Sequence, residues 1–424
     1  MSETDVCVYG LGYIGLPTAA VLADSGHDVT GYDTDEDLLR TLRDGTVAID
    51  EQGLADLVTE GVASGALSLS DAPVEARYHV ICVPTPLGND TQSADLDSVE
   101  AATRDATAQL TPGSTVVLES TVPPGTTTEL VEPILESSGL VAGEEFGLAF
   151  SPETVLPGNI LAELRSNNRI VGGIDAPSTA AGVALYESFT DGEIHETDAT
   201  TAEMAKLTQN TFRDVNIAFA NELATIAREN DVDSGELVEL ANTHPRVTVH
   251  RPGPGVGGHC IPIDPWFLVE DSDHGALVET ARRVNDSMAE YVVELLRTEL
   301  GSLENRTLGV LGVAYKGNVS DARESPGLRV VKRLRQTDGT TVFVNDPHVT
   351  DESFESVPLD ELFERVDGAI VTTDHDEYAA YTPPREVISE PEVRHDGSGG
   401  IVVDTKRVLD PETWDDCGYR LIQL

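Results

Sequence analysis

VCVYGLGYIG, residues 6–15, decides the fold. Val6 to Tyr9 is a short apolar run that reads as a strand; Gly10, Gly12 and Gly15 follow it as GxGxxG, and the LPTAAVLADSG beyond them has helical character. A second strand, HDVTGYD, ends on Asp33. A glycine-rich turn alone is a weak signal. Set between strand and helix, with an acid about 20 residues on at the next strand end, it is the dinucleotide-binding fingerprint. The glycines let a pyrophosphate reach the helix N-terminus, where N–H groups and the helix dipole favour an anion. Gly10, Gly12, Tyr13, Ile14 and Gly15 are the expected contacts. Asp33 would accept from the ribose hydroxyls and repel a 2′-phosphate, so NAD is the expected cofactor rather than NADP.

Outward from this unit, strands and helices alternate. RYHVICVPTP (77–86), STVVLESTVPPGT (114–126) and FGLAFSPE (146–153) read as strands ending in polar or proline-bearing turns, with IVGGID (170–175) and a further helix and strand after them. An open parallel sheet binds its ligand at such carboxyl ends, where Thr85, Thr121 and Glu153 sit; the plainer reading is that threonines there cap helices. From Thr201 to Asn230 runs a segment without Gly or Pro, read as one helix. A helix of about 30 residues spans roughly 45 Å and should link lobes and offer a surface for dimerisation. Lys206 and Asn210, at i and i+4, share one of its faces. Helices from Gly275 to Gly301 lead to TLGVLGVAYK (307–316), TTVFVNDP (340–347), GAIVTTDH (368–375) and GIVVDTK (400–406), the strands of another parallel sheet without GxGxxG. HDGSGG (395–400) reads as a loop. The fold class is therefore α/β: a Rossmann domain (1–196), a central helical domain (197–300) and a second Rossmann-like domain (301–424).

PGPGVGGHCIPIDPW (252–266) packs a thiol, a histidine and a carboxylate among glycines and prolines. Its glycines at 253, 255, 257 and 258 would clear the approach side for a bulky ligand, and Cys260 would be a nucleophile presented to it. The plainer reading is a small buried thiol in a turn. His259, adjacent to Cys260, is expected to be a substrate-loop residue at best.

The net charge is −48, from 75 acidic against 27 basic residues, and lysine occurs only at 206, 316, 332 and 406. The acidic residues are spread along the chain, a surface that repels itself in dilute buffer and is screened in concentrated salt, so a halophilic cytoplasm is the expected setting. Nucleic-acid binding is not expected on the same grounds. Four cysteines without CxxC spacing point to reduced thiols and to neither a disulfide framework nor a zinc site. The uncharged run Val6 to Ala23 carries three glycines and a proline, and reads as strand, loop and helix rather than a membrane span.

Together these motifs resemble the nucleotide-sugar 6-dehydrogenases, which include UDP-glucose and GDP-mannose dehydrogenases. The resemblance runs from GLGYIG to VVDTK, strongest in GGHCIPID and supported by STVPPGT, SPE, AKLTQN and ARESPG. TFRDVNIAFANELA, HPRV and PGPGVGGHCIPIDPWF look most like the members that oxidise UDP-N-acetyl-D-mannosamine. The resemblance implies a UDP-sugar substrate, two NAD reduced per sugar and a homodimer or higher homo-oligomer. By it, Cys260 is the catalytic thiol, Lys206 the catalytic lysine, Asn210 the active-site asparagine and Asp264 the motif aspartate. Thr121 helps hold a water, and Glu153 serves aldehyde-stage chemistry and hydrolysis. Arg246 reaches into the partner subunit's substrate site, Gly257 and Gly258 belong to the substrate loop, Lys316 touches the uridine side, and Arg323 lies near the cofactor. Thr154 departs from the arginine usual in acetylmannosamine-type relatives, so one anionic contact would be made differently.

The chemistry follows from the residues. Taking a primary alcohol to a carboxylate removes four electrons; Cys260 would form a thiohemiacetal with the aldehyde, then a thioester that water releases. A cationic Lys206 would favour the thiolate and stabilise the oxyanion. UDP-glucose and UDP-N-acetylglucosamine remain alternative substrates, and a non-catalytic nucleotide-sugar or NAD sensor the alternative of another class.

Overall fold

Eight short strands lie in one sheet of the first half of the chain: β1 (Val6–Tyr9), β2 (Val29–Tyr32), β3 (Leu67–Ser70), β4 (Tyr78–Ile81), β5 (Thr115–Leu118), β6 (Gly147–Phe150), β7 (Arg169–Gly173) and β8 (Ile194–Asp198). The computed structural model describes residues 4–49, 51–88, 92–156, 158–351, 353–384 and 400–424; HDGSGG, but for Gly400, lies outside them. The chain divides into two units, Met1–Gln209 with Trp266–Ser272, and Asn210–Pro265 with Asp273–Leu424.

In the first unit the sheet order is β3-β2-β1-β4-β5-β6-β7-β8. Its first six strands follow the doubly wound 3-2-1-4-5-6 order, which puts the topological switch point between β1 and β4. Val6 is in register with Val29 on one side and Tyr78 on the other. The central strands read as unbroken apolar runs because both faces are covered. Leu16, Leu22, Leu39 and Val58 pack on one side, and Val99, Val131 and Leu135 on the other. One junction departs from the expected pattern: β7 runs antiparallel to β6, Phe150 facing Gly172, while β8 is parallel to β7.

The long helix, expected at Thr201–Asn230, spans Ala199–Glu229. The Asp198 carboxylate opens it by accepting from the Thr201 amide (2.9 Å) and hydroxyl (2.7 Å). Asp231, at φ 55, follows its end. Phe212, Phe219 and Ile226, spaced seven apart and so on one face, are 61%, 54% and 49% exposed, an apolar stripe that the chain's own core leaves open. Among the described residues no helix is long and apolar enough to cross a membrane.

The second unit carries β9 (Thr307–Leu311), β10 (Thr341–Asn345), β11 (Gly368–Val371), β12 (Ile401–Asp404) and β13 (Arg420–Gln423), all parallel, in the order β10-β9-β11-β12-β13. This is the 2-1-3-4-5 winding, whose switch point lies between β9 and β11. One helix, Ala276–Leu300, bounded by Gly275 and Gly301, lays Val292, Val293 and Leu296 against Leu308, Val310 and Ile370 of that sheet.

Candidate functional site

At the first switch point the three glycines have different tasks. Gly10 holds φ +88°, and a Cβ there would sit 2.7 Å from the Cys82 carbonyl oxygen. A Cβ on Gly15, the first residue of the helix Gly15–Asp24, would collide with the Gly10 carbonyl. These two glycines close the turn. Gly12 has open space where its Cβ would be, so there a ligand can approach the bare backbone from the side a Cβ would cover. Tyr13 beside it is exposed and Ile14 half-buried. Asp33 is held at the loop, Oδ2 accepting from Leu11 N–H (2.7 Å) and Oδ1 from Asp35 N–H (2.9 Å), with acceptor capacity remaining for ribose hydroxyls. On the adjoining rim the Thr85 hydroxyl donates to the Thr121 carbonyl (2.7 Å), tying the turns after β4 and β5 together. This cradle fits NAD: a bare-backbone approach beside a helix N-terminus, and an acid at the next strand end.

Behind the rim lies a buried ionic cluster that inspection of the sequence passed over. Arg169, the first residue of β7, donates from Nη2 to Glu153 Oε2 (2.9 Å) and from Nη1 to Glu119 Oε1 (3.4 Å). The Tyr186 hydroxyl donates to Glu119 Oε1 (2.6 Å), and the Cys82 thiol to Glu119 Oε2 (2.8 Å). Burial pushes the Glu119 carboxyl up, with Arg169 opposing. Burial works against the Arg169 charge, but Glu153 and Glu119 outweigh it and hold the guanidinium above its usual range. Glu153 also accepts from the Thr154 and Val155 amides (2.5 and 2.9 Å). At position 154 the backbone thus does work that does not depend on the side chain. Lys206 is buried on the long helix. Three residues earlier on the same helix, Glu203 accepts from Gly125 N–H, Thr127 N–H and the Thr127 hydroxyl, fixing the turn after β5.

In the second unit the Cys260 loop is anchored at its root. Gly253 N–H donates to Asn221 Oδ1 (2.8 Å), Asn221 Nδ2 to Asn285 Oδ1 (2.9 Å), and Asn285 Nδ2 to Asp214 (2.8 Å), which also accepts from Arg282 (2.6 Å). The loop's glycines were expected to clear room for a ligand; at Gly257 and Gly258 the space in the Cβ direction is taken by the protein itself. A Cβ on Gly257 would lie 2.8 Å from the Glu324 carbonyl oxygen and Pro326 Cδ and 2.9 Å from Tyr315 Cβ. One on Gly258 would lie 3.0–3.3 Å from the Tyr315 ring, at φ +86°. Their missing side chains make room for the protein's own loop after β9, and Gly258 N–H donates to the Arg323 carbonyl (2.9 Å). Cys260 itself is exposed and carries no disulfide. Its carbonyl accepts from Ile263 and Asp264 N–H (3.0 and 2.9 Å), a turn that runs into the helix Asp264–Val269. Pro265 is the second residue of that helix, where its missing N–H costs no hydrogen bond. Asn210 Nδ2 donates to the buried Asp264 Oδ2 (2.6 Å), joining two of the expected residues.

His259 is half-buried and shifted down, first by burial and then by Arg323, which favours its neutral form. Arg323 forks onto Asp321, Nε to Oδ1 at 3.0 Å and Nη2 to Oδ2 at 2.7 Å. Burial would raise the Asp321 acid, but that fork holds it below the usual range. Lys316 is exposed on the same loop, and Arg246 is exposed beside His244.

The second switch point repeats the first in altered form. A Cβ on Gly312 would collide with Thr373, and one on Gly327, in the first turn of the helix Pro326–Arg335, would lie 2.6 Å from the Gly312 carbonyl oxygen, as with Gly15 and Gly10. The pair was invisible as GxGxxG because residues 313–326 stand between. Asp346, after β10, takes the place of Asp33 but is closed off. It is buried and accepts from Val313, Ala314, His348 and Val349 N–H (2.6–2.9 Å) and from His375 Nε2 (3.2 Å). Burial opposes its charge, and these donors hold its acid far below the usual range. Ligand atoms of His348, His375 and Glu377 lie within 4.8 Å of one another, a spacing open to a metal that the sequence did not suggest. Both His375 nitrogens are already engaged, Nε2 on Asp346 and Nδ1 accepting from Asn318 N–H (3.0 Å).

Three consecutive stretches match the models of one family: its NAD binding domain over residues 4–190, its central domain over 200–287 and its UDP binding domain over 309–411. The chain belongs to the UDP-glucose/GDP-mannose dehydrogenase family. A UDP-N-acetyl-D-mannosamine dehydrogenase of Methanococcus aeolicus is 42% identical over 98% of this chain and 94% of that protein. An NDP-N-acetyl-D-galactosaminuronic acid dehydrogenase of Ralstonia nicotianae is 40% identical over 88% of this chain and 91% of its own. Among solved structures, a UDP-D-ManNAc dehydrogenase from Pyrococcus horikoshii superposes with a TM-score of 0.90 at 37% identity, covering 99% of both chains. Like the rest of its family the chain is an NAD-dependent nucleotide-sugar 6-dehydrogenase, and the sensor alternative falls away.

Proposed function

We propose that this dehydrogenase oxidises the C6 alcohol of UDP-N-acetyl-D-mannosamine to the uronate. The observation that carries the sugar is the full-length likeness to dehydrogenases of that name, at 42% identity in sequence and 0.90 TM-score in structure. Identity alone leaves the galactosaminuronate-type relative at 40% as the competing reading.

NAD, bound once for each of the two oxidations, would supply the acceptor for one hydride at a time, so that two are reduced per sugar. The chain's own residues do the rest. Cys260, exposed at the tip of an anchored loop, adds its sulfur to the C6 aldehyde; after the second oxidation the carbon is held as a thioester. Lys206, as an ammonium, stabilises the oxyanion at each tetrahedral stage. Asp264, fixed by Asn210, and Glu153 move the protons of the alcohol and of the hydrolytic water, which Thr121 helps hold. Water adds to the thioester carbon, the C–S bond breaks, and the thiolate regains a proton.

The division 1–196, 197–300 and 301–424 belongs to this reading, as does a homodimer that covers the stripe Phe212, Phe219 and Ile226 and sends the exposed Arg246 into the partner's substrate site. Lys316 meets the uridine side and Arg323 the cofactor side. A net charge of −48 supports a halophilic cytoplasm as working solvent.

The test is NADH yield per sugar in roughly molar salt, with UDP-N-acetylmannosamine, UDP-N-acetylglucosamine, UDP-N-acetylgalactosamine and UDP-glucose each offered at limiting amount. Two NADH from the mannosamine sugar alone is the expected result. Two from another sugar overturns the substrate, and one NADH per sugar overturns the thioester route.

A further inference from the structure

The cluster behind the rim is costlier than packing alone requires. Arg169, Glu119 and Glu153 are 6%, 2% and 8% exposed, and Tyr186 is fully buried. Apolar side chains of similar volume would hold β5, β6 and β7 together without burying a guanidinium and two carboxyl groups. Geometry points to what the charges are for. Glu153 stands just past the end of β6, and its carboxylate is fixed from both sides: Oε1 by the Thr154 and Val155 amides, Oε2 by Arg169 Nη2. Two backbone amides and one guanidinium N–H leave its plane no freedom to turn. Arg169 is itself held, by Glu119 on Nη1 and by the Tyr186 ring 4.4 Å from its guanidinium carbon. Glu119 is in turn held by the Tyr186 hydroxyl and the Cys82 thiol. The chain of contacts has one end sealed, at Glu119, and one end at the rim, at Glu153.

We infer that Arg169 is a positioning residue for the hydrolytic step: it fixes the Glu153 carboxylate in the orientation that takes a proton from water, and Glu119 fixes Arg169. The inference rests on the role given to Glu153 above. In that step the water oxygen bonds to the thioester carbon, one water proton passes to Glu153, and the carbon–sulfur bond breaks to release the Cys260 thiolate. Both oxidations precede it, so an ill-placed Glu153 stalls the enzyme with Cys260 acylated. A planar guanidinium reaches both carboxylates at once, whereas a lysine ammonium can serve only one of them in that geometry.

The experiment compares Arg169→Lys, Glu153→Gln and wild type with the UDP-sugar that the wild type oxidises. Each variant is first checked for NADH binding by fluorescence, as a sign that the first unit is folded. For both variants we expect a burst of two NADH per enzyme and a uronyl adduct on Cys260 by intact mass. For Arg169→Lys the steady-state kcat should fall about 100-fold, the order of cost of a misplaced catalytic group, at little-changed KM. Arg169→Lys that binds NADH but shows neither burst nor adduct, merely turning over slowly, would make Arg169 structural and overturn the inference. Absence of the adduct from Glu153→Gln would overturn the reading of Glu153 beneath it. Should Arg169→Lys fail to bind NADH, Glu119→Gln carries the test: with one anchor of Arg169 weakened, the same burst and adduct are expected with a drop of about tenfold, and their absence counts against the inference.

Discussion

Gly258→Ala separates two accounts of the motif around Cys260. If the glycine is there to admit a ligand, a methyl group should cost affinity and leave the fold alone. The structure argues otherwise. The new Cβ would meet Tyr315 Cε2, Cδ2 and Cζ at 3.0, 3.1 and 3.3 Å, at φ +86°. The left-handed backbone costs an L-residue about 1–2 kcal/mol, and pressing on a packed ring costs about 1–2 kcal/mol more. The sum, about 2–4 kcal/mol, lowers the melting midpoint of a unit of roughly 200 residues by on the order of 5–10 °C. The second variant is Tyr315→Ala in the same background. It removes the atoms the methyl meets, so the steric half should be recovered as a coupling of about 1 kcal/mol or more in the thermal double-mutant cycle, leaving the backbone cost in place. Gly257→Ala, whose neighbours include the Glu324 carbonyl and Pro326, should show much less rescue by Tyr315→Ala. Differential scanning calorimetry on wild type, the three single variants and the two doubles gives the answer. A Gly258→Ala protein that melts like wild type and only loses UDP-sugar affinity refutes the reasoning.

Two further outcomes follow from the first unit. Gly15→Ala drives a methyl into the Gly10 carbonyl, so titration calorimetry should show NAD binding weakened at least about tenfold, some 1.4 kcal/mol, with UDP affinity unchanged; wild-type NAD affinity would refute the account of the turn. His79, fully buried with Nδ1 2.9 Å from the Tyr9 hydroxyl, is pushed by burial from 6.5 down to about 4. Its neutral form contributes stability that is present above 6.5, falls away as pH drops below it and is wholly lost below about 4. Between pH 7 and 5 wild type should lose about 2 kcal/mol more than His79→Gln, and parallel melting curves against pH for the two proteins would rule this out.

What could be read from the sequence is what a local backbone rule enforces. The Gly10–Gly15 turn, the strand ending before Asp33 and the long helix without Gly or Pro each announce themselves within one window of residues. Strands β3 and β13 did not, because four-residue strands at the two sheet edges carry too little alternation to stand out. The reversal at β7 is a property of the crossover, not of the apolar pattern of IVGGID. Gly312 and Gly327 were hidden by the residues inserted between them. The site divides the same way. Cys260, Lys206, Asn210 and Asp264 came from motif and resemblance, and the Asn210–Asp264 bond joins residues 54 apart in the chain. Glu119 and Arg169 lie 50 apart, and nothing near either names the other; the one available hint was an arginine opening an otherwise apolar strand. The glycines at 257 and 258 are close-approach positions, and the neighbour that their Cβ direction admits is the protein's own Tyr315, 57 or more residues away in the chain.

The insertion between Gly312 and Gly327 has a mechanical consequence. The same short loop presents Lys316 and Arg323 on its outside and presses Tyr315, Glu324 and Pro326 against the backbone next to Cys260. One loop thus carries both these exposed cations and the atoms packed against Gly257 and Gly258. Binding energy gathered far from the reacting carbon would have a short path, along that loop and through its packing on Gly257 and Gly258, to the segment that carries the thiol.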